Sequence, residues 1–238
     1  MILSLDTSTN TCSAALLSEK EVLAEYTQNL LFTHSEKLMP LIDALFKDTR
    51  RHAHELEAVA VASGPGSFTG LRIGVSTARA FAQGLNIPAY GINTLEALAH
   101  TFPISNHLIC PIMDARKQQV YTDVYQFNSS IIETDTVPTI LLNPTVITLE
   151  ELINHLKNYS KPALCIGDGS LIYREILRDN LAELYWELPY PLTYPKASLV
   201  GWCAQVMRRV NGITASYLEL KPQYIRASEA ERKRQQKS

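Results

Sequence analysis

Residues 63–74 read SGPGSFTGLRIG and combine glycine, proline and hydroxyl residues between a predicted strand and a predicted helix. Gly64 and Gly66 can adopt positive φ without steric cost, and Ser67 or Thr69 can cap the helix. Such a turn directs backbone N–H groups and the positive end of a helix dipole toward one point, which suits an anion. No Gly-Lys-Ser/Thr follows, so this is not a Walker A loop. A turn that needs glycine only for its geometry is the alternative.

Histidine, serine and cysteine elsewhere in the chain form no clear catalytic set. His34 is followed directly by a serine and a glutamate, but neighbours on a helix point in different directions, so we favour a capping or interface role. His52 and His54 lie in a charged segment that is typical of a solvated helix end rather than a metal site. The four cysteines are far apart, without a C-x-x-C pair, and are expected to be buried apolar residues: Cys12, Cys110, Cys165 and Cys203.

The elements around the glycine turn follow from the spacing of apolar residues. Alternation over 57–62 predicts a strand before the turn, and a helix over 70–85 and a strand over 88–92 complete a β-α-β unit. Three further strands, 1–5, 12–17 and 22–27, and a helix over 34–47 precede it. Pro40 is expected to bend or end the first turn of that helix.

The rest of the chain partly repeats this order after a predicted hinge at 103–107. The predicted elements are strands at 108–113, 120–127 and around 131–138, a helix at 148–159, a strand at 163–167, a helix at 170–178, an extended aromatic loop at 185–195 and a helix at 197–211. The charged end, 229–238, is expected to fray. We therefore predict two related α/β subdomains, residues 1–102 and 103–238.

Composition excludes some classes of function. The 238 residues carry 22 basic and 24 acidic side chains, a net charge of −2, which gives no overall field for nucleic acid or an anionic membrane. The chain begins MILSLD without a basic leader, and no apolar stretch approaches the roughly 20 residues that span a bilayer. A cytoplasmic protein is expected.

Four segments carry a resemblance to a known family. LDTSTNTCSAAL at 5–16, HSEKLMPLID at 34–43, the glycine turn and KPQYIRA at 221–227 resemble TsaB, also called YeaZ. The resemblance is weakest over 128–194. It implies an actin/hexokinase/Hsp70-like (ASKHA) fold, with two mixed sheets flanked by helices. It also implies a non-catalytic relative of the transferase TsaD, which acts with TsaD and the ATPase TsaE to form N6-threonylcarbamoyladenosine in tRNAs that read codons beginning with A.

The segment GINTLEAL, residues 91–98, bears on catalysis. In the catalytic relatives this place resembles G-V-N-H-x-E-x-H, whose two histidines share a helix face and bind a metal. Here Thr94 and Leu98 take those positions, and neither replaces an imidazole, although Glu96 remains. The resemblance therefore implies no metal and no transferase activity in this chain alone.

Nucleotide binding is a weaker expectation from the same resemblance. Asp6 occupies the place where related ATPases keep a carboxylate facing a phosphate-bound metal, and the residues that would join it are Gly64, Gly66, Ser67, Thr69 and Gly70. Alternatively, Asp6 and the following hydroxyl residues only close a hairpin turn. We expect no cofactor in this chain alone.

The helix after the glycine turn suggests how a partner is bound. Small residues recur every four positions, a pattern that allows close packing, and the resemblance implies pairing with a TsaD-like partner, or with itself, through the first two helices. The residues expected at the interface are Gly70, Gly74, Ala78 and Ala82, together with Leu38, Leu41, Ile42 and Leu45. Packing on the protein's own sheet is the alternative for the small residues. tRNA would be reached through the complex, with direct contact by the tail as a lesser alternative.

The alternatives to a subunit role are autonomous enzymes. The chain could be an autonomous ATP-dependent phosphotransferase of the same fold, which needs tight nucleotide binding at Asp6, or a metallopeptidase, which needs a metal site. The missing histidines argue against the peptidase. A homodimer that excludes the partner could coexist with the heterodimer.

Overall fold

The protein is built from ten strands and seven α-helices across the ranges that the computed structural model describes, residues 1–29, 34–103, 106–127, 137–211 and 215–226. The first part contains β1 (Ile2–Asp6), β2 (Thr11–Leu17), β3 (Val22–Asn29), α1 (His34–Thr49), β4 (Ala58–Gly64), α2 (Phe68–Leu85), β5 (Ala89–Asn93) and α3 (Thr94–Ala99). The second contains β6 (Leu108–Asp114), β7 (Gln119–Gln126), β8 (Thr139–Thr148), α4 (Leu149–Tyr159), β9 (Ala163–Ile166), α5 (Asp168–Ile172), α6 (Arg174–Leu181), β10 (Tyr185–Glu187) and α7 (Ala197–Asn211).

The strands form two five-stranded mixed sheets with the same topology. The first has the order β3-β2-β1-β4-β5, and the second has the order β8-β7-β6-β9-β10. In each sheet the first three strands are antiparallel neighbours, and the last two lie parallel to the first strand. The second sheet therefore repeats the first strand by strand. This repeat confirms the prediction of two related α/β subdomains with mixed sheets.

Several predicted elements differ from the structure. The strand predicted at 131–138 falls mainly outside the described residues, and the third strand of the second sheet is Thr139–Thr148. This strand lies at a sheet edge, where its Pro144 is tolerated because an edge strand can lack one N–H donor. The predicted helix at 170–178 is divided into α5 and α6 at Tyr173, and the predicted aromatic loop contains the short edge strand β10. The helix α1 continues through Pro40.

The predicted boundary between the subdomains also needs correction. Helix α7 packs against the first sheet, where Val200, Cys203 and Ala204 join a buried cluster with Ile2 and Ala60. Leu220 lies in the core on the other face of the same sheet, beneath α1 and α2. Residues 103–238 therefore do not form one unit, because the chain returns to the first sheet after β10. The strands β1 and β4 are buried on both faces, which explains their nearly continuous apolar sequence.

Candidate functional site

A cleft of about 570 Å³ lies between the two sheets. Its walls come from the β1–β2 turn, the glycine turn, the end of β6 and the start of α5, and residues 223–226 also line it. The structure thus brings Ser67 and Thr69 of the glycine turn next to Ser8 and Thr9, because β1 and β4 are parallel neighbours in the first sheet. The carboxyl ends of the parallel strands of both sheets meet at this cleft, the usual position of a ligand site in α/β proteins.

The glycines of the turn are needed for close backbone packing. Gly64 has a φ of 138°, and a Cβ on it would collide with the carbonyl oxygen of Gln223. Gly66 has a φ of 156°, and a Cβ on it would collide with the carbonyl oxygen of Ser8. A Cβ on Gly70 would likewise collide with the carbonyl oxygen of Thr7. The geometric interpretation of the glycines therefore accounts for their positions. It also shows that carbonyl oxygens, rather than open space, lie against the turn.

Ser67, one of the two caps that the sequence offers, is the N-cap of α2, which begins at Phe68 rather than at residue 70. Its side-chain oxygen accepts the N–H of Gly70 at 3.2 Å, and its own N–H donates to the carbonyl of Ser8 at 2.7 Å. The hydroxyl of Thr7 donates to the carbonyl of Gly70 at 2.7 Å. The two turns are therefore joined directly to each other, which takes one backbone donor away from any anion site.

Asp6, at the end of β1, stabilises the β1–β2 turn through hydrogen bonds. It is fully buried, and its Oδ1 accepts the N–H and the hydroxyl of Ser8 at 2.8 and 2.7 Å. Burial raises the pKa of the Asp6 carboxyl, and the two bonds from Ser8 offset part of that rise. Its Oδ2 has no hydrogen-bond partner in the described part of the chain. His34 supports the same turn, because its Nε2 lies 2.8 Å from the carbonyl oxygen of Thr9.

Two aspartates on the far wall of the cleft were not predicted as site residues. Asp168 accepts the N–H of Gly169 at 2.9 Å and that of Asp114 at 3.3 Å, and burial raises its pKa to about 6. Asp114 accepts the hydroxyl of Tyr173 at 2.9 Å. The sequence carried a signal for this wall, since Gly167-Asp168-Gly169 follows β9 just as the glycine turn follows β4. The duplicated topology places both glycine-containing turns at the cleft.

Helix α3, which carries positions 94 and 98, is packed into the protein. Thr94 and Leu98 on α3 are both buried. Leu98 lies in an apolar cluster with Ile109, Tyr125 and Leu164 of the second sheet. Within the described ranges, no group of three or more histidine, cysteine, aspartate or glutamate side chains is arranged to hold a metal ion. Position 98 is therefore filled by apolar packing, whereas the Thr94 hydroxyl is buried without a hydrogen-bond partner among the described residues.

The residues expected at a partner interface lie inside the protein. A Cβ on Gly74 would collide with the hydroxyl oxygen of Thr7 and lie 3.2 Å from Val61. The small-residue stripe of α2 therefore packs on the protein's own sheet, and the interface prediction is wrong for these positions. All eight are buried within this single chain: Leu38, Leu41, Ile42, Leu45, Gly70, Gly74, Ala78 and Ala82.

The opposite face of the same two helices is open. A groove of about 600 Å³ runs between α1 and α2, and Met39 at its edge is 50% exposed. Its lining is mainly apolar or small: Met39, Ala53, Ser76, Thr77, Ala80, Phe81, Gly84 and Leu85. An exposed apolar groove between two helices is a typical docking surface for another helix.

Two duplicated α/β halves around a cleft have the actin/hexokinase/Hsp70-like fold. The chain matches, over residues 21–235, the family described as TsaD, tRNA N6-adenosine threonylcarbamoyltransferase. Among curated proteins it is 34% identical to the tRNA threonylcarbamoyladenosine biosynthesis protein TsaB of Bacillus subtilis, over 98% of this chain and 96% of that protein. It is 30% identical to TsaB of Haemophilus influenzae, over 94% of this chain and 93% of the other. The chain belongs to the TsaB family.

A solved structure supports the same fold. YeaZ from Pseudomonas aeruginosa superposes with a TM-score of 0.72 and 22% identity, over 94% of this chain and 98% of that one. The resemblance of the sequence to TsaB and YeaZ is thereby confirmed. None of the helices in the described ranges combines the length and the apolar character that a membrane span requires.

Proposed function

We propose that the chain is a non-catalytic subunit in the formation of N6-threonylcarbamoyladenosine in tRNAs that read codons beginning with A. It pairs with a TsaD-like transferase in the cytoplasm, and a TsaE-like ATPase and tRNA join through that pair. The observation that carries the non-catalytic role is the packing of α3. Thr94 and Leu98 are buried at the two positions where the resemblance implies metal-binding histidines in the catalytic relatives, and neither side chain replaces an imidazole as a ligand.

We place the pairing surface on the outer groove of α1 and α2. The buried stripe of α2 is held by its own sheet, whereas Met39, Ala80 and Phe81 line an open apolar groove. A helix pair of the partner inserted there would complete a four-helix arrangement with apolar contacts at its centre. A second copy of this chain would use the same groove, so a homodimer competes with the heterodimer.

A charge placed in the groove tests this surface. Ala80 is exposed on α2, so Ala80→Glu should leave the fold intact but bury an unpaired carboxylate on pairing. We expect the affinity for the TsaD-like transferase to fall by about 30-fold or more, measured by calorimetry and size-exclusion chromatography.

The matched control adds the same residue away from the groove. Asn154 is exposed near the middle of α4 in the second subdomain, and Asn154→Glu should leave the affinity unchanged. Equal affinity for the wild-type chain and the Ala80→Glu variant would reject the groove as the pairing surface.

The residues of the cleft do not form an open phosphate site. The carbonyl of Gln223 lies against Gly64, the N–H of Ser67 is donated to Ser8, and Asp6 is buried with Oδ1 engaged. An ATP-dependent phosphotransferase would need these groups free to hold phosphates. We therefore propose no nucleotide cofactor for this chain alone, and we prefer the subunit role to the autonomous phosphotransferase.

A further inference from the structure

The C-terminal segment 215–226, here named the strap, returns across the first subdomain to the cleft. Leu220 anchors it, because this side chain is buried in the core of the first sheet and lies against Gly91. Three residues later, the N–H of Gln223 donates to the carbonyl of Ser63 at 2.7 Å. The strap thus passes directly over the glycine turn before its last residues line the cleft.

Aromatic and cationic groups hold the end of the strap. The ring of Tyr224 stacks on that of Phe68, with centroids 4.8 Å apart and an interplanar angle of 27°. Arg72 joins them, because its Nε donates to the Tyr224 hydroxyl at 3.1 Å and its guanidinium lies 4.1 Å from the Phe68 ring centre. Arg226 reaches the second subdomain, where its Nη1 donates to the carbonyl of Ala115 at 3.5 Å. The strap therefore contacts both walls of the cleft.

The two parts of the strap are held to different degrees. Leu220 is 6% exposed, whereas Tyr224 is 40% exposed and Ile225 is similarly open. Gln223 is also held, by its backbone hydrogen bond to Ser63 at 2.7 Å. Beyond it, residues 224–226 are held by partly exposed aromatic stacking and by side-chain hydrogen bonds of 3.1 and 3.5 Å, which stabilise a contact by much less than full burial of an apolar side chain. Segments with few buried apolar contacts open locally without global unfolding. The end of the strap can therefore leave the cleft while Leu220 stays in place.

We propose that residues 224–226 are a releasable cover at the cleft between the subdomains, and that their release, with Gln223 still in place, controls access to it. In the closed state Tyr224 occupies the platform made by Phe68 and Arg72, and Arg226 bridges to the opposite wall. Release would widen the cleft that the glycine turn and the far wall already line. This cover is a property of the single chain and does not depend on pairing.

Cysteine labelling of the full-length chain tests the cover. The native cysteines are all buried, so an introduced thiol can serve as the reporter. Ala115 is partly buried on the cleft wall and its carbonyl accepts the hydrogen bond from Arg226, so the maleimide labelling rate of Ala115→Cys reports on this contact. The second substitution, Tyr224→Ala, removes the stacking that holds the cover. We expect it to raise the labelling rate of the reporter about fivefold to tenfold.

The native cysteines separate local opening from unfolding, since they react only when the fold opens. Their labelling should stay slow in the Tyr224→Ala variant. The control substitution is Leu218→Ala, on the same strap but 71% exposed, and it should leave the reporter rate unchanged. An unchanged reporter rate in the Tyr224→Ala variant would overturn the proposal, and so would an equal acceleration at the native cysteines.

Discussion

Single residues in this protein show how a sequence pattern can indicate one function and serve another. The glycines of the SGPGSFTG turn suggested an anion site, but each lies against a carbonyl oxygen of a neighbouring segment. The positive φ of Gly64 was predictable from the sequence, whereas its contact with Gln223 was not, because that contact joins segments more than 150 residues apart in the chain. Long-range approaches of this kind follow only from the assembled fold.

Two glycines of α2 provide a matched test of this packing. Gly70→Ala places a Cβ against the backbone of Thr7, so the free energy of unfolding should fall by about 2 kcal/mol or more. Gly84 is exposed in the same helix with no atom within 4 Å of a Cβ, so Gly84→Ala should raise it by about 0.5 to 1 kcal/mol. Urea unfolding measures both. Equal effects of the two substitutions would mean that contact with the β1–β2 turn does not decide the residue at position 70.

The raised pKa of Asp168 predicts how the stability of the fold depends on pH. Its pKa is raised from 3.8 to about 6, so the folded state binds this proton more tightly than the unfolded state. Ionised Asp168 therefore lowers stability as the pH rises through that interval, and the cost is complete above about pH 6. Asp168→Asn keeps an oxygen for the N–H of Gly169 and should raise the free energy of unfolding by about 1 to 3 kcal/mol at about pH 8.

The gain from Asp168→Asn should shrink as the pH falls below about 6 and disappear below about pH 3, where the aspartate is protonated in both states. Urea unfolding of both proteins across this range gives the difference at each pH. A difference that does not change with pH would show that Asp168 is not the titrating group.

At the scale of elements, local sequence patterns predicted the helices whose ends carry capping residues. Helix α4 was placed by its apolar spacing, and its start is fixed by Thr148, whose side chain accepts the N–H of Glu151 while Glu151 accepts the N–H of Thr148. Helix α7 was predicted with its observed bounds. Its position was missed, because the apolar stripe of a helix shows that one face is buried but does not show which sheet covers it.

Helix α2 shows the same limit for the candidate site. The sequence indicated that its small-residue stripe packs closely, and the structure shows that the partner of that stripe is the protein's own sheet. The exposed face of α2 lines the groove through Ser76, Ala80 and Gly84, and Phe68 and Arg72 at its first turns hold the strap. One helix therefore serves the core, the proposed pairing surface and the cover of the cleft.

At the scale of the whole molecule, the duplication of the sheet explains the position of the cleft. Two copies of one topology bring two glycine-containing turns together, and the chain then returns through α7 and the strap to the first copy. The two related halves were predictable from the repeated order of strands. The return of the chain was not, since no local pattern distinguishes a helix that stays with its own half from one that crosses back.

Threonylcarbamoyl transfer to tRNA, measured with purified components, tests the proposed subunit role most directly. The assay compares this chain alone, a TsaD-like transferase with a TsaE-like ATPase, and all three together. We expect no transfer by this chain alone and a large increase in transfer when it joins the other two, and the increase should be lost with Ala80→Glu. Transfer by this chain alone, or an equal rate with and without it, would contradict the account.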